Sequence, residues 1–387
     1  MGRIITGLSK PYLNLRNSML AIKGSPALAA ALHRNSHIKV LNLSKNALQD
    51  AGIKAITEAL SSNSTVTQLD ISSNGVTDRG GADIVKMLTH NRSIVKLLVA
   101  GNSLGDDFAQ RFCKVVASAG TMKVMDISGN RIGSRAGSAI ASMLSSVKSL
   151  VEVNLGWNNF RGIGSTPVLT AGMEGNRLRS LDLSFNGFDD EIGVVLGELL
   201  TVNITLVMLN LARNRLGPLA AAGIAYALRF NDSLVVLQLG WNPLGLEGTL
   251  AIVSSLSENG GVEELRLENT AGGGSEPQVA ERAEAVLSER ELWANVVVEY
   301  PDRSRIKVPC TRKHISRMTE QRSANVVEEY ADGMRLEDKR DSKHDLEGTK
   351  AGRKGKGKGK KKKTKGGKKK SKGKAKRSKS PKRKAKT

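Results

Sequence analysis

The segment HIKVLNLSKNAL, residues 37–48, and its counterpart LRSLDLSFNGF, residues 178–188, share one pattern of apolar residues around an asparagine. This asparagine recurs eight times along the chain, at a constant 28-residue interval. The eight positions are Asn46, Asn74, Asn102, Asn130, Asn158, Asn186, Asn214 and Asn242. A fixed period of this length predicts a repeat protein rather than a set of unrelated domains.

The hydrophobic period changes within each repeat. Before the asparagine, apolar residues alternate, as at Leu209 and Leu211, which predicts a short strand with one buried face. After it, they recur at helical spacing, as at Ile56, Ala59 and Leu60. One strand and one helix of this size cannot bury their apolar faces alone, so successive repeats must stack. The sequence therefore predicts an α/β solenoid.

The repeat resembles the leucine-rich-repeat family, and within it the 28-residue ribonuclease-inhibitor-like class, because the pattern LxxLxLxxNxL is met over residues 37–260. The resemblance implies a right-handed leucine-rich-repeat solenoid, or horseshoe, with parallel strands on the concave face and helices on the convex face. Residues 37–260 are then eight such repeats, and residues 1–36 are an N-terminal partial repeat or cap.

Three further segments follow the repeats. We expect residues 261–292 to form a partial repeat and a C-terminal capping helix, whose apolar face is Val279, Ala283 and Val286. Residues 293–337 contain the related runs ANVVVEYPD and ANVVEEYAD, which predict a small module of two β-hairpins. Residues 338–387, rich in charge and poor in apolar residues, are predicted to be a disordered linker and lysine-rich tail.

The repeat asparagines are predicted to be structural. Their side-chain amides can satisfy backbone donors and acceptors in the turn that leaves each strand, which would otherwise be buried without partners. The fifth repeat departs from the others, because Pro167 lies in its helical segment, Gly172 replaces the leucine or valine of other repeats and Gly175 follows soon after. Its helix is therefore expected to be short or irregular.

Two columns of residues point out of the core and are the candidate partner-binding surface. Strand alternation places the first column on the concave face, and its central members are Asp126, Asn154, Asp182 and Asn210. The second column precedes the repeat asparagine and contains Trp157, Phe185, Arg213 and Trp241. Tryptophan and arginine dominate interface hot spots, so an exposed row of them predicts protein binding. The alternative is that the rings fold over the strand edge and shield neighbouring turns.

The charge of the chain lies in its tail. The formal net charge is +23, and residues 350–387 hold 22 Lys or Arg and no acid. This tail resembles those of linker histones and is expected to bind nucleic acid or to direct the protein to the nucleus or nucleolus, with the cytoplasm as the alternative. RNA, acidic microtubule tails and anionic membranes remain alternative polyanions. The candidate residues are Lys361, Lys362, Lys363, Lys368, Lys369, Lys370, Arg377, Lys382 and Arg383, with Ser380 as a phosphorylation site that would weaken binding.

The sequence offers no pattern typical of a catalytic or metal site, so we expect neither enzymatic activity nor a cofactor. The five histidines lack metal-ligand spacing beside cysteine or carboxylate, and Cys113 is expected in the core. Two cysteines cannot build a disulfide framework, and no run of about 18 apolar residues predicts a membrane span. We therefore expect a soluble protein of a reducing compartment, and give the four Asn-x-Ser/Thr sequons no role in glycosylation.

Three functions are consistent with the sequence. The first is a non-enzymatic scaffold or adaptor that binds a protein partner on the concave face and a polyanion through the tail. The second is activation of the small GTPase Ran, because the segment ARNRLGPLAAAG, residues 212–223, resembles loops of the Ran-activator family. In that family an asparagine positions the Ran site, so the resemblance implies Asn214, with Arg215, as the candidate site residues. The third is an adaptor at a membrane or the cytoskeleton, because Met1-Gly2 with Thr6 fits a myristoylation pattern and the tail is polybasic.

Overall fold

The repeats form one continuous sheet. The computed structural model describes residues 8–174, 177–272, 275–289, 295–299 and 305–308. In these ranges, twelve strands follow one another across the sheet in chain order. The strands are β1 (Tyr12–Asn14), β2 (Val40–Asn42), β3 (Gln68–Asp70), β4 (Lys96–Leu98), β5 (Val124–Asp126), β6 (Glu152–Asn154), β7 (Ser180–Asp182), β8 (Met208–Asn210), β9 (Val236–Gln238), β10 (Glu264–Arg266), β11 (Asn295–Glu299) and β12 (Arg305–Val308). Strands β1 to β11 are parallel, and β12 pairs antiparallel with β11.

The strand register follows the sequence period. Leu41 of β2 pairs with Leu69 of β3, and Leu69 pairs with Leu97 of β4, so each step across the sheet is one repeat. The central residue of each strand from β1 to β10 is buried. Because side chains alternate along a strand, the two flanking residues project from the opposite face of the sheet. This face is called the outer sheet face below.

Ten helices connect the strands in the described part of the chain. They are α1 (Ala21–His33), α2 (Gln49–Ser61), α3 (Asp78–His90), α4 (Asp106–Ala119), α5 (Gly137–Ser146), α6 (Thr166–Met173), α7 (Asp190–Val202), α8 (Pro218–Leu228), α9 (Gly245–Ser255) and α10 (Glu276–Glu289). In α2 the buried apolar residues include Ile53, Ile56 and Leu60, at the spacing of one helix face. Each helix packs against the next one in the chain, so the core runs through the solenoid between sheet and helices.

The repeat asparagines tie neighbouring repeats together. The Asn74 amide nitrogen donates to the carbonyl of Ile71 in its own repeat at 2.9 Å and to that of Leu43 in the preceding repeat at 3.0 Å. Its side-chain oxygen accepts from the backbone N–H groups of Asn46 at 3.0 Å and Leu48 at 3.3 Å. These backbone groups lie in the turn that follows the strand. Without the asparagines they would be buried without hydrogen-bond partners, which would lower the stability of the fold. The asparagine is therefore the residue that allows a buried turn to repeat.

Two further ladders of polar side chains connect the repeats. At the start of the helices, Asp50 accepts from the backbone N–H of Thr77 at 2.8 Å, and Asp78 does the same for Gly105 at 2.8 Å. At the end of the helices, Asn91 donates to the carbonyls of Leu60 and Asn63, both at 2.8 Å. This second ladder contains the sequon asparagines, which are buried: Asn63, Asn91, Asn203 and Asn231. They serve the stacking of repeats.

The fifth repeat has a short helix, as the sequence predicts. Its helix α6 has eight residues and is preceded by a 3-10 turn, Ile163–Ser165. The hydroxyl oxygens of Ser165 and Thr166 are buried here and have no hydrogen-bond partner among the described residues. A groove of about 760 Å³ lies between α5 and α6, lined largely by small side chains. This repeat is the least regular part of the described solenoid.

The C-terminal end of the solenoid is covered by α10. Val279, Ala283 and Val286 are buried, which confirms the predicted apolar face of this helix. Strand β11 then extends the sheet beside β10, and β12 turns back against it within the segment where the sequence predicts the first hairpin. The predictions for residues 1–7 and 309–387, which include the myristoylation pattern, the second hairpin and the tail, lie outside the described residues. Among the described helices, none has the length and apolar character needed to cross a bilayer.

Candidate interaction surface

The residue before each repeat asparagine has a left-handed backbone. Its φ angle lies between 52° and 63° at the eight equivalent positions. These positions are Lys45, Ser73, Gly101, Gly129, Trp157, Phe185, Arg213 and Trp241. The turn directs the backbone N–H of each residue to a carbonyl of the next repeat, as from Trp157 to Ser184 at 2.8 Å. The left-handed region suits glycine and costs other residues about 1–2 kcal/mol each.

Four consecutive repeats place large planar side chains at this strained position, and these side chains stack. The rings of Trp157 and Phe185 have centroids 3.7 Å apart and are nearly parallel, at 6°. The guanidinium carbon of Arg213 lies 6.0 Å from the Phe185 centroid and 4.4 Å from that of Trp241. We call these four side chains, Trp157, Phe185, Arg213 and Trp241, the planar stack. Stacking and cation–π attraction offset part of the backbone strain.

The planar stack remains open to solvent. The exposed fractions are 56% for Trp157, 37% for Phe185 and 46% for Trp241, and Arg213 is also exposed. The rings contact one another and still leave a large part of their surface exposed, so shielding of the neighbouring turns does not by itself account for the arrangement. A row of exposed rings held in a strained backbone conformation favours recognition over packing. The partner-binding role of these residues stays a prediction.

The candidate residues on the outer sheet face have a structural role that the sequence interpretation missed. Side-chain oxygens of Asp126, Asn154, Asp182 and Asn210 each accept the backbone N–H of the residue two positions later, at 2.9–3.0 Å. This hydrogen bond closes an Asx turn as the chain leaves the strand. The signal was the repeated Asn or Asp two residues before a Ser, Gly or Ala. One oxygen of each side chain is therefore committed to the fold.

The remaining polar atoms of this column are placed differently. The Asn210 amide nitrogen donates to the second carboxylate oxygen of Asp182 at 2.9 Å, so Asp182 is satisfied within the chain. Burial is the main cause that raises the pKa of Asp126 above its ordinary value. The carboxylates of Asp182 and Asp70 raise it further, against the hydrogen bonds from Ser128. The ionised form of Asp126 therefore lowers the free energy of unfolding.

We expect Asp126→Asn to raise the melting temperature at pH 7. Asparagine keeps the acceptor oxygen of the Asx turn, as Asn154 does, and removes a charge that burial disfavours. Because the folded-state pKa lies above the ordinary value of 3.8, the parent protein loses stability as the pH rises from 3.8 through the folded-state pKa. The gain should therefore shrink as the pH is lowered towards 3.8, which thermal melts at several pH values measure.

Asp126→Ala is the matched control for this substitution. It removes the same charge together with the acceptor for the Ser128 N–H, and should be less stable than Asp126→Asn by about 1 kcal/mol. An Asn variant that melts at or below the parent temperature at pH 7 would contradict the assigned cost of the charge.

Cys113 and Asn214, two residues that the sequence analysis considers for a chemical role, are both buried. Burial raises the pKa of the Cys113 thiol to about 12, which confirms Cys113 as a core residue that carries no thiolate at neutral pH. Within the described ranges, no group of three His, Cys, Asp or Glu side chains is placed to hold a metal ion. Asn214, the candidate in the Ran-activator alternative, is buried and fully used in the asparagine ladder. That alternative would have to rest on Arg215 alone.

The comparison with protein families agrees with the fold. Four segments, residues 34–56, 62–85, 121–141 and 177–197, match the family described as Leucine Rich repeat. The chain thus contains leucine-rich repeats, and its fold is the α/β leucine-rich-repeat solenoid. A similar solved structure is that of leiomodin-1 actin-binding site 2, with 21% sequence identity over 33% of this chain and 75% of that one, at a TM-score of 0.30. No curated protein matches the chain.

Proposed function

We propose that this protein is a non-enzymatic scaffold that binds a protein partner through the planar stack and the adjoining outer sheet face. The observation that carries the proposal is the stack itself. Three aromatic rings and one arginine occupy strained positions at which Gly101 and Gly129 serve the same turn without strain. Since the fold does not require large side chains there, a contact outside the chain is the better reason for them.

The regularity of the sheet supports the same proposal. The strands hold equivalent residues one repeat apart, so the planar stack and the strand column form two parallel rows on one rigid frame. A preorganised row of aromatic and arginine side chains loses little conformational freedom on binding. The 28-residue period also supports placing the repeats in the ribonuclease-inhibitor-like class.

The tail adds a second part to the proposal. Its 22 basic residues in residues 350–387 can neutralise phosphates but, without an aromatic residue, cannot stack on bases. We therefore assign it sequence-independent binding to nucleic acid and a role in nuclear targeting, with Ser380 as a site where phosphorylation weakens the attraction. Composition and charge alone support this part.

Replacing both tryptophans of the stack tests the scaffold role. The double variant Trp157→Gly, Trp241→Gly should lose partner capture from cell extract by full-length protein, because it removes the exposed rings. Its free energy of unfolding should change by no more than about 1 kcal/mol, since glycine relieves the left-handed strain while the stacking energy is lost. Quantitative pull-down and urea denaturation measure the two effects.

The control variant alters aromatic residues on the helix side of the solenoid. Tyr226 and Phe230 are exposed at 57% and 55%, and their rings contact each other with centroids 5.1 Å apart. Tyr226→Ala with Phe230→Ala removes two aromatic rings of similar fractional exposure from the helix side of the repeat. If the stack variant still captures the partner and this control does not, the binding surface lies on the helix side and the proposal is wrong.

A further inference from the structure

The planar stack ends at Trp157. One face of its indole ring has no stacking neighbour, because the equivalent position of the preceding repeat has no side chain. Phe185 covers the face that points towards the following repeat. On the other side, the equivalent positions hold Gly129 and Gly101, which have no side chains. The space above these two glycines, beside the free face of Trp157, is called the glycine notch.

The chain itself cannot easily fill the glycine notch. A Cβ atom added at Gly129 would lie 3.1 Å from the backbone nitrogen of Gly101 and 3.2 Å from its Cα, which is tighter than an ordinary contact. Gly129 also has a φ of 60°, so a larger residue would add strain. The notch therefore has a backbone floor, one aromatic wall and an open top.

A carboxylate belongs to the strand that leads into the glycine notch. Asp126 ends the strand that leads into Gly129, and the described residues supply it with no cationic ion-pair partner. Asp70 and Asp182 lie two strands away on either side and add to the negative potential at Asp126. This charge repels the phosphates of a nucleic acid and attracts a cation. An aromatic face beside a carboxylate suits a guanidinium group, which stacks through its plane and donates hydrogen bonds through its edge.

The same contact already exists inside the chain. The guanidinium carbon of Arg213 lies 4.4 Å from the centroid of the Trp241 ring, further along the same column. We propose that the glycine notch receives an arginine side chain from a basic segment of the partner protein, whose guanidinium stacks on the free face of Trp157 and pairs with Asp126. This inference rests on the proposed scaffold function and names the chemistry of its partner.

Peptide binding to the full-length protein tests the proposal. The probe is a blocked hexapeptide of alternating glycine and arginine, titrated at fixed ionic strength and followed by calorimetry. A peptide with citrulline in place of arginine has nearly the same shape without the charge and should bind at least about tenfold more weakly. Lysine peptides should also bind more weakly than arginine peptides, because ammonium cannot stack through a plane.

Variants of the notch locate the binding. Trp157→Gly and Asp126→Asn should each weaken arginine-peptide binding by about fivefold or more, while Trp157→Phe retains most of it. The helix-side substitution Phe230→Ala should leave the affinity unchanged. Equal binding of the citrulline peptide, or an Asp126→Asn variant with parental affinity, would overturn the proposal. Preferential binding of an acidic peptide would do the same and would point to Arg213 instead.

Two other outcomes separate this inference from its alternatives. If full-length protein with Arg353, Arg377 and Arg383 all changed to glutamine binds the peptide more tightly than the parent, the chain's own tail competes for the notch and the assignment to a partner fails. If the arginine peptide does not bind but the stack variant still loses its partner from extract, the scaffold function stands and the arginine assignment is wrong.

Discussion

Asn186→Ala is expected to lower the free energy of unfolding by roughly 3–5 kcal/mol. The Asn186 amide nitrogen donates to the carbonyls of Leu155 at 3.0 Å, Leu183 at 3.1 Å and Ser184 at 3.1 Å. Its oxygen accepts the N–H of Phe160 at 3.3 Å. Alanine removes all four hydrogen bonds at a site where only 2% of the asparagine is exposed, and it leaves the Phe160 N–H without its side-chain acceptor. Water cannot replace the lost hydrogen bonds there.

Urea denaturation followed by far-ultraviolet circular dichroism measures this loss. Asn159→Ala is the matched control, because Asn159 lies in the neighbouring turn and is exposed. Its replacement should change the free energy of unfolding by less than about 0.5 kcal/mol. Asn186→Asp should also be destabilising, since a carboxylate cannot donate to the three carbonyls. Similar stability for the Asn186 and Asn159 variants would show that the ladder does not support the fold.

Gly197→Ala is the second substitution with a large expected effect, a destabilisation of about 3 kcal/mol. Helices α7 and α8 approach closely at this point. A Cβ atom on Gly197 would lie 2.8 Å from both the carbonyl carbon and the oxygen of Gly223, which are backbone atoms that cannot rotate away. One helix must shift, and the repeats on both sides are packed against it.

The residue across the same contact provides the control. A Cβ atom on Gly223 would meet only ordinary contacts, at 3.7–3.9 Å. Gly223→Ala should therefore be neutral or should stabilise the protein by up to about 1 kcal/mol, because alanine favours the helix. Thermal and urea denaturation of the two single variants should give changes of opposite sign, or at least a clear destabilisation of Gly197→Ala alone. Equal changes would mean that the helix contact is looser than described.

Much of the fold could be predicted because its signals are local. The alternation at Leu209 and Leu211 gave the strand, the helical spacing of Ile56 and Leu60 gave the helix, and both patterns recur once in every repeat. The apolar face of α10 was predicted for the same reason. By contrast, helix propensity alone argues against a helix at Gly193 and Gly197. Their role becomes visible only in the structure, where the absence of a side chain lets α8 approach closely.

The candidate site could be predicted only in part. The period places Trp157, Phe185 and Trp241 at equivalent positions, so the row is visible in the sequence. The Asx turns of Asp126 and Asp182 were missed, because strand alternation assigns a face and says nothing of what a side chain bonds to. The unoccupied face of Trp157 depends likewise on which way its ring turns.

The sequence by itself determined the number of repeats, the strand and helix in each, the residues of the core and the concentration of positive charge in the tail. These properties follow from periodicity and composition, which act over short stretches of chain. Only the tertiary structure decided that Phe185 lies flat on Trp157, that Arg213 lies over Trp241 and that a notch remains over Gly129. These contacts join residues at least one full repeat apart, and stacking the repeats is what brings them together.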